Sequence, residues 1–432
     1  MDVTITPHRL EGSVAALPSK SMAHRLLILA ALSQGITDFV CPSLSEDIQA
    51  PLRCLKALGA PAMGTRDGLR MVPLTVGGVR HDARLDVGES GSTLRFLLPV
   101  AAALGQGATF VGHGRLAQRP LSPLDEQLEL HGVTLSERGR FPLAVAGALE
   151  GGDFQLPGNV SSQFVSGLLM AAPLLADGAR IAVSEPVESK GYIDLTVDAL
   201  KAFGIHVDEH RETIDDHPVR VYQVPAGSRF VTPGLCTVEG DWSNAAFWLA
   251  AGALGPQPLS VTGLNLGSRQ GDRAIMAALA MMGARMGRSS GIVAASREAL
   301  HGRDVDVSGI PDLVPPLAAV ASVAQGTTRL AHAGRLRLKE SDRLQTVSAA
   351  LCALGGRARI EGDDLVIEGV VALGGGTVNA ANDHRIAMMA SICAAYATGP
   401  TTILGADCVS KSYPSFFDDF RALGGIAREE EA

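Results

Sequence analysis

A dense cluster of charged side chains occupies the nine residues from Arg335 to Arg343. Four of the nine are cations and two are acids, a density that packing does not readily explain. The alternation of charged and apolar residues predicts a strand that runs into a helix start. Cations at a helix start bind phosphate or carboxylate groups, so the cluster indicates a small anionic ligand. A solvated charged face is the alternative interpretation.

A second group of polar residues surrounds a predicted helix start near the amino terminus. Lys20 stands at the cap position, Ser21 follows it, and Arg25 lies about one turn into the helix. Backbone N–H groups, a point charge and a hydroxyl form a cradle that suits a phosphate or a carboxylate. A capped surface helix with solvated charges explains the same residues, so this segment alone leaves both interpretations open.

Other helix starts also carry side chains that could do chemistry. Ser161, Ser162 and Gln163 open an apolar helix, where they either grip a phosphate or cap the helix. Asp312 precedes an apolar run, and an acid in this place is usually a cap. In the segment 382–385, a histidine and an arginine are expected to face the cap end of a helix, away from the core.

Six copies of one helix-and-strand unit are predicted to position these residues. Each copy has an apolar helical run that ends in a glycine, and glycine there is the expected left-handed helix cap. Helix starts made of small polar or charged residues recur at nearly the same step. The terminal glycines, at intervals of 73, 72, 79, 72 and 69 residues, are Gly59, Gly132, Gly204, Gly283, Gly355 and Gly424.

The alternation of helix-like and strand-like segments indicates an α/β fold. A chain of 432 residues is long enough for two domains, and six units divide into two groups of three. The widest step between repeat markers falls in the middle of the chain, and a first strand precedes the helix start at Lys20. We therefore predict one domain from residues 18–234 and a second, discontinuous domain from residues 1–17 and 235–432.

The composition and the missing motifs disfavour several function classes. With 37 basic and 45 acidic residues the net charge is −8, which disfavours binding to nucleic acid. The chain has no Walker loop, dinucleotide fingerprint or Gly-x-Ser-x-Gly elbow, which disfavours ATP hydrolysis, redox chemistry and serine hydrolysis. The six cysteines fit no zinc pattern, so we expect free thiols, no metal and no cofactor. Without a signal sequence or a run long enough to span a bilayer, a cytoplasmic protein with no membrane contact is expected.

Four motifs, taken in order, resemble one known family. They are Leu-Pro-Ser-Lys-Ser-x-x-x-Arg from Leu17, Ser-Ser-Gln-Phe from Ser161, Lys-Glu-Ser-Asp-Arg from Lys339 and Asn-Asp-His-Arg from Asn382. Together they are similar to the 3-phosphoshikimate 1-carboxyvinyltransferases, or 5-enolpyruvylshikimate-3-phosphate (EPSP) synthases, over nearly the whole chain. The resemblance implies the enolpyruvyl transferase fold, in which each of two domains contains three βαβαββ units and forms an inside-out α/β barrel.

The resemblance also implies a reaction and a set of site residues. The enolpyruvyl group of phosphoenolpyruvate moves to the 5-hydroxyl of shikimate 3-phosphate by addition and elimination, in the shikimate pathway to chorismate and the aromatic amino acids. Asp312 is implied as the base, Glu340 as the group that protonates and later deprotonates carbon, and Lys20 as a catalytic cation. The residues implied to bind shikimate 3-phosphate are Lys20, Ser21, Arg25, Ser161, Ser162, Gln163, Ser189, Asp312 and Lys339. Those implied to bind phosphoenolpyruvate are Lys20, Gly91, Arg119, Arg343, Arg385 and Lys411.

Two other functions and two departures from the family pattern remain to be weighed. The UDP-N-acetylglucosamine enolpyruvyl transferases share the fold but use a loop cysteine, and the matching segment 112–120 has none. A non-catalytic anion-binding protein would not need both Asp312 and Glu340.

Two residues depart from the pattern of the EPSP synthase family. Glu89 replaces an amide and Arg335 replaces an asparagine found in many members, so their roles stay open. We expect a monomer whose partners are small anionic substrates.

Overall fold

Six four-stranded sheets with one shared strand order are present in the computed structural model, which describes residues 1–136 and 139–430. In every sheet the first two strands are parallel, and the other two follow in antiparallel pairing. The strands are β1 (Asp2–Thr6), β2 (Gly12–Ala15), β3 (Thr37–Val40), β4 (Ala62–Gly64), β5 (Gly68–Met71), β6 (Ala83–Gly88), β7 (Ala108–Gly112), β8 (Val133–Leu135), β9 (Leu143–Gly147), β10 (Gly152–Pro157), β11 (Ala179–Ser184), β12 (Asp208–Ile214), β13 (His217–Val224), β14 (Leu235–Thr237), β15 (Leu259–Thr262), β16 (Arg285–Ser289), β17 (Ile292–Ser296), β18 (Asp304–Asp306), β19 (Thr327–Ala331), β20 (Arg357–Glu361), β21 (Asp364–Glu368), β22 (Gly376–Asn379), β23 (Thr401–Leu404) and β24 (Ile426–Glu430).

Two α-helices accompany each sheet, and one further short helix, α3, follows β5. The helices are α1 (Lys20–Leu32), α2 (Glu46–Leu58), α3 (Leu74–Gly77), α4 (Gly91–Leu104), α5 (Leu124–Leu130), α6 (Ser162–Ala171), α7 (Lys190–Ala202), α8 (Trp242–Leu254), α9 (Ile275–Met281), α10 (Val314–Ala321), α11 (Arg343–Ala353), α12 (His384–Ala395) and α13 (Phe416–Ala422). Short 3₁₀ helices lie at Gly114–Gln118, Ala172–Leu174, Gly271–Ala274, Pro311–Leu313, Gly334–Leu338 and Ala406–Lys411. The succession β10, α6, β11, α7, β12, β13 is a complete βαβαββ unit, which confirms the predicted building block.

The predicted glycine caps are confirmed at all six positions. Each glycine follows the second helix of its unit, and its φ lies between 79° at Gly204 and 114° at Gly59. This left-handed conformation is readily accessible only to glycine. The regular spacing of glycines in the sequence therefore follows from a backbone turn that each unit repeats.

The chain divides into two compact units. We call residues 18–238 unit A, and residues 1–17 together with those from Glu239 onward unit B. Whereas the sequence predicts a division before Leu235, strand β14 pairs in parallel with β3 and lies in unit A.

Three sheets combine strands from distant parts of the chain. Strand β14 supplies the parallel edge strand next to β3 in unit A. In unit B, strand β2 pairs in parallel with β15, and strand β1 lies between β23 and β24. Each unit has three four-stranded sheets. One sheet of unit A and two sheets of unit B are completed by these strands.

Buried helices lie at the centre of each unit. All 13 residues of α8 and all 12 of α12 are buried, and α10 is buried throughout. These three helices pack against one another in unit B, as α4 does with α1 and α6 in unit A. A helix that is apolar on all sides is expected in such a core. Of the helix starts predicted to carry site residues, those of α1, α4, α6, α10 and α12 belong to these central helices, whereas Arg343 begins α11 and Ser189 precedes α7.

The aromatic core of unit B tests how much one buried hydrogen bond contributes to stability. The Trp248 indole N–H donates to the Tyr413 hydroxyl at 3.0 Å, and both side chains are buried. Tyr413→Phe should lower the free energy of unfolding by about 1–3 kcal/mol, because a buried donor loses its acceptor. Chemical denaturation followed by circular dichroism measures this change.

Tyr222→Phe in unit A is the matched control. Within the described part of the chain, the buried Tyr222 hydroxyl has no hydrogen-bond partner. Its removal should therefore leave the free energy of unfolding unchanged or raise it slightly. If both variants lose the same free energy of unfolding, the hydrogen bond from Trp248 to Tyr413 does not account for the loss in Tyr413→Phe.

Candidate functional site

Asp312 lies in the 3₁₀ turn Pro311–Leu313, directly before α10 in unit B. Leu313, and not Asp312, occupies the N-cap position of α10. The Asp312 carboxylate instead accepts from Arg343 Nη1 at 2.8 Å and lies 3.1 Å from Lys339 Nζ. Arg385 Nη2 is 3.5 Å from the other carboxylate oxygen. Helix capping therefore does not explain this acid, which is surrounded by three cations.

Arg343, the first residue of α11, connects the acids of this cluster. Its guanidinium is 1% exposed and donates to Asp312, to Glu340 Oε2 and to both carboxylate oxygens of Asp383. Four of the five N–H groups of an arginine are used in this way. The two acids predicted to be catalytic, Asp312 and Glu340, are therefore brought to one guanidinium.

Asp383 fixes the far side of that guanidinium. Its carboxylate is fully buried, caps α12 through the Arg385 N–H at 3.1 Å, and accepts from Ser341 Oγ at 2.9 Å. Burial alone would raise the pKa of Asp383, but Arg343 outweighs it and holds the pKa below its ordinary value. The sequence motif contained Asp383, yet its spacing alone did not reveal this role.

The electrostatics of the cations in unit B follow from burial and from these acids. Burial lowers the pKa of Arg343, but the carboxylates of Asp383, Glu340 and Asp312 outweigh it and raise the pKa. For Lys339, burial dominates and lowers the pKa, although Asp312 opposes the shift. The two neighbouring cations thus respond differently because only Arg343 is shared among three acids.

Two further predicted residues of unit B lie near the start of α12. Arg385 is buried, contrary to the expectation that it faces away from the core, and its Nη1 donates to the Asp312 carbonyl at 3.3 Å. Lys411 Nζ donates to the Asn382 carbonyl at 3.0 Å. Asn382 adopts a left-handed φ of 56°, an uncommon conformation for a residue other than glycine.

The segment from Arg335 to Leu338 is not a strand, so that prediction is wrong. It lies within the 3₁₀ helix Gly334–Leu338, and α11 begins five residues later. Charged and apolar residues alternate here as in a strand, but their burial does not alternate, because Leu336 is buried whereas Leu338 is exposed. A 3₁₀ helix has three residues per turn, so these two leucines do not share a face. Arg335 lies in this turn, and its role stays open.

In unit A, Lys20 is held by the first turn of the next helix. Its Nζ lies 3.0 Å from Asp47 Oδ2, and the His24 ring Nε2 donates to the Asp47 carbonyl at 2.7 Å. Burial lowers the pKa of His24 to about 4, so the ring is neutral at pH 7. Neither Asp47 nor His24 was identified from the sequence, because nothing in the spacing shows that α1 and α2 meet here.

Arg25 is buried inside unit A and bonded to neutral oxygens. Its guanidinium donates to Thr196 Oγ1 at 2.7 Å and to Ser166 Oγ at 3.3 Å, as well as to the carbonyls of Ser21 and Tyr192. Because burial is not offset by a carboxylate, the pKa of Arg25 falls to about 9. These contacts connect α1, α6 and α7, and direct contact of Arg25 with substrate stays a prediction.

The start of α4 meets the loop that carries Arg119. A side-chain carbon at Gly91 would lie 2.7 Å from the Arg119 guanidinium carbon, so only glycine leaves room for that close approach. Glu89 lies against the same loop, since a Cβ at Gly114 would be 2.1 Å from the Glu89 carboxylate. The structure therefore brings Gly91 and Arg119 together, as their shared predicted role requires.

The hydroxyl residues predicted to bind a phosphate lie at the starts of α6 and α7. Ser161 caps α6 by accepting from the Gln163 N–H at 3.3 Å, and Ser162 is the first residue of the helix. Ser189 precedes α7 with a left-handed φ of 54°. Such a conformation in a serine stores local strain, which is typical of functional sites.

The chain is similar to known proteins in both sequence and structure. A family model described as EPSP synthase (3-phosphoshikimate 1-carboxyvinyltransferase) matches residues 5–420. The chain belongs to the EPSP synthase family. A 3-phosphoshikimate 1-carboxyvinyltransferase from Clostridium kluyveri is 41% identical over 98% of this chain and 97% of its own length. The protein of that name from Clostridium perfringens (strain 13 / Type A) is also 41% identical, over 99% of both chains.

Solved structures of this family and its relatives show the same fold. An EPSP synthase from Acinetobacter baumannii superposes with a TM-score of 0.79 at 24% identity, over 99% of this chain and 100% of that one. The enolpyruvyl transferase NikO from Streptomyces tendae has a TM-score of 0.78 at 18% identity, over 100% of this chain and 99% of that one. The two-domain enolpyruvyl transferase fold expected from the resemblance is confirmed.

The buried neutral histidine of this EPSP synthase family member makes its stability depend on pH. Between about pH 6.5 and 4, the unfolded chain binds a proton at His24 that the folded chain does not bind. The free energy of unfolding should therefore fall as the pH falls through this window, by about 2 kcal/mol from pH 7 to 5 for this group. Denaturant titrations at both pH values, with His24→Asn as the comparison, measure this contribution. A variant that loses as much stability as the wild type would assign the pH dependence to other groups.

Proposed function

We propose that this protein transfers the enolpyruvyl group of phosphoenolpyruvate to the 5-hydroxyl of shikimate 3-phosphate, with release of phosphate. Family membership supports the reaction. The observation that carries the proposal is the shared guanidinium of Arg343, which holds Asp312 and Glu340 beside Lys339. An acid that accepts a proton and a second acid that donates one are what this addition and elimination require.

The proposed addition step uses both acids. Asp312 accepts the proton of the 5-hydroxyl as its oxygen attacks the substituted enol carbon, and Glu340 gives a proton to the methylene carbon. The product is a tetrahedral intermediate in which the methylene has become a methyl group. Lys339 lies 3.1 Å from Asp312, so it is well placed to share in binding the attacking hydroxyl.

Elimination reverses the proton transfer at carbon. Glu340 takes a proton back from the methyl group, the carbon–oxygen bond to phosphate breaks, and phosphate leaves with the proton that Asp312 took from the 5-hydroxyl. Both acids thereby return to their starting states. Lys20 and Lys411 are proposed to stabilise the charge that develops on the departing phosphate. Positioning of the two substrates supplies much of the remaining rate acceleration.

The proposed ligands of the two substrates are the residues that the family resemblance implies. For shikimate 3-phosphate they are Lys20, Ser21, Arg25, Ser161, Ser162, Gln163, Ser189, Asp312 and Lys339. For phosphoenolpyruvate they are Lys20, Gly91, Arg119, Arg343, Arg385 and Lys411. Hydrogen bonds to charged groups contribute about 1.5–3 kcal/mol each, so several are enough to orient both substrates.

We also propose that the protein acts as a cytoplasmic monomer that binds no nucleic acid. Among the described residues, no helix has the length and apolarity needed to cross a membrane.

The rival activity on UDP-N-acetylglucosamine is not favoured, because residues 112–120 lack a cysteine. Phosphate release, measured with both substrates and with each omitted in turn, tests the reaction. Release without shikimate 3-phosphate would overturn it.

The two proposed acids should be separable from binding by amide substitution. Asp312→Asn and Glu340→Gln keep the shape of each side chain but remove its ability to exchange a proton. Turnover should fall by roughly 10²–10⁴-fold in each variant, while the KM values change little. Steady-state phosphate release measures both. Glu361→Gln is the control, because its carboxylate pairs with Arg329 on β19 and Arg359 on β20 of unit B, and none of these three residues belongs to the proposed site. Near-wild-type turnover in either acid variant would remove that residue from the mechanism.

A methyl group at Gly91 should act mainly on phosphoenolpyruvate. In Gly91→Ala the new carbon would approach the Arg119 guanidinium to 2.7 Å, so the arginine has to move. We expect the KM for phosphoenolpyruvate to rise roughly tenfold, the equivalent of about one weakened charged hydrogen bond, with a smaller change for the other substrate. Gly64→Ala, where the added carbon meets nothing within 4 Å, is the matched control in unit A. A rise in the KM for shikimate 3-phosphate alone would contradict the assignment of Arg119 to phosphoenolpyruvate.

A further inference from the structure

A buried arginine on α4 joins two segments to which the proposed function assigns different substrates. Arg95 is 6% exposed, and its Nη1 donates to Gln163 Oε1 at 2.8 Å. Its Nη2 donates to the Pro120 carbonyl at 2.9 Å. Gln163 belongs to the shikimate 3-phosphate set, whereas Pro120 directly follows Arg119 of the phosphoenolpyruvate set. No role for Arg95 was expected from the sequence.

The bond from Arg95 determines which way the Gln163 amide faces. A guanidinium has N–H donors and no acceptor, so the amide must turn its oxygen toward Arg95. The amide NH₂ group then faces away from the Arg95 guanidinium. Gln163 therefore offers donors to a ligand, as an anionic substrate requires. With the amide reversed, its oxygen would repel a phosphate or a carboxylate.

Packing between α4 and α6 keeps this arrangement rigid. A Cβ at Gly167 would lie only 2.3 Å from the Arg95 carbonyl, so the two helix backbones are in close contact. The Arg95 guanidinium carbon lies 5.4 Å from the centre of the Phe164 ring, within the range of a cation–π interaction. The arginine is thus held on its flat face as well as at both ends of its fork.

Arg95 also lies on the face of α4 that carries Gly91. Residues four apart share one face of a helix, one turn from each other. Gly91 accommodates the Arg119 guanidinium, and Arg95 holds the next residue of the same loop by its carbonyl. The loop from Arg119 to Pro120 is therefore positioned by two successive turns of α4.

We propose that Arg95 is a positioning residue for substrate binding, which orients the Gln163 amide as a donor and anchors the loop that carries Arg119. The inference rests on the proposed function, since it assigns the oriented amide to shikimate 3-phosphate. The planar fork of an arginine reaches both acceptors at once, and a lysine in its place reaches only one.

A double-mutant cycle on shikimate 3-phosphate binding tests the proposal. Calorimetry gives the Kd for Arg95→Met, Gln163→Met and the double variant. Each single change should weaken binding by roughly 10 to 100-fold, the effect of one hydrogen bond to a charged group. Because Arg95 acts through the amide, the double variant should bind about as weakly as Gln163→Met. If the two losses multiply, Arg95 does not act through Gln163 and the proposal is overturned.

Two additional variants keep the test decisive if Arg95→Met does not fold. Arg95→Lys retains the charge, and the same cycle with Gln163→Met then gives the coupling. Gln163→Glu can still pair with Arg95 but presents no donor, so it should bind shikimate 3-phosphate more weakly than Gln163→Met. Wild-type affinity in Gln163→Glu would overturn the inferred orientation.

A control arginine separates positioning from general stability. Arg70→Met in unit A removes a guanidinium that pairs with Asp38 across strands β5 and β3, neither of which carries a residue of the proposed site. It should leave the Kd for shikimate 3-phosphate unchanged even where thermal stability falls. A wild type that shows no phosphate release dependent on both substrates would refute the proposed function itself. An active wild type with multiplying losses would refute only the role of Arg95.

Discussion

The Arg343 guanidinium is almost completely buried, and three carboxylates surround it. Removing a charge from water costs several kcal/mol, and only close opposite charges with good hydrogen bonds offset that cost. Asp312 precedes α10, Arg343 begins α11 and Asp383 caps α12. The pairing therefore fixes the starts of three helices of unit B relative to one another. The positions of both proposed catalytic acids depend on it.

Two buried arginines of unit A donate hydrogen bonds to uncharged oxygen atoms. Arg25 and Arg95 donate to hydroxyls, to an amide oxygen and to backbone carbonyls in the contacts described above. The contrast appears in the pKa values, since burial lowers that of Arg25 to about 9 whereas acids raise that of Arg343. The neutral acceptors of Arg25 leave its positive charge uncompensated within α1, which suits the binding of anions. The acids in unit B suit proton transfer.

Several predictions from the sequence rested on strong local chemistry, and the structure agrees with them. Glycine at a left-handed helix cap and small polar residues at helix starts are recognisable in any sequence, so the sixfold repeat was visible before the fold was known. The interpretation of residues 335–338 as a strand failed because alternation of apolar and charged residues also occurs in a single 3₁₀ turn. Arg95 escaped notice because an arginine within an apolar run gives no sign of its partners. The sequence assigned residues 1–17 to the discontinuous domain, but it did not show which strands pair with β14, β2 and β1.

The sequence by itself determined the number of repeated units, their helix caps, the family and the set of polar residues that could bind anions. These properties depend on residue types and on short-range spacing along the chain. Only the tertiary structure decided which partners those residues have: that Asp312 and Glu340 share Arg343, that Asp47 holds Lys20, and that Arg95 orients Gln163. These contacts join residues on different helices or turns, and whether two such side chains meet depends on the packing of the central helices.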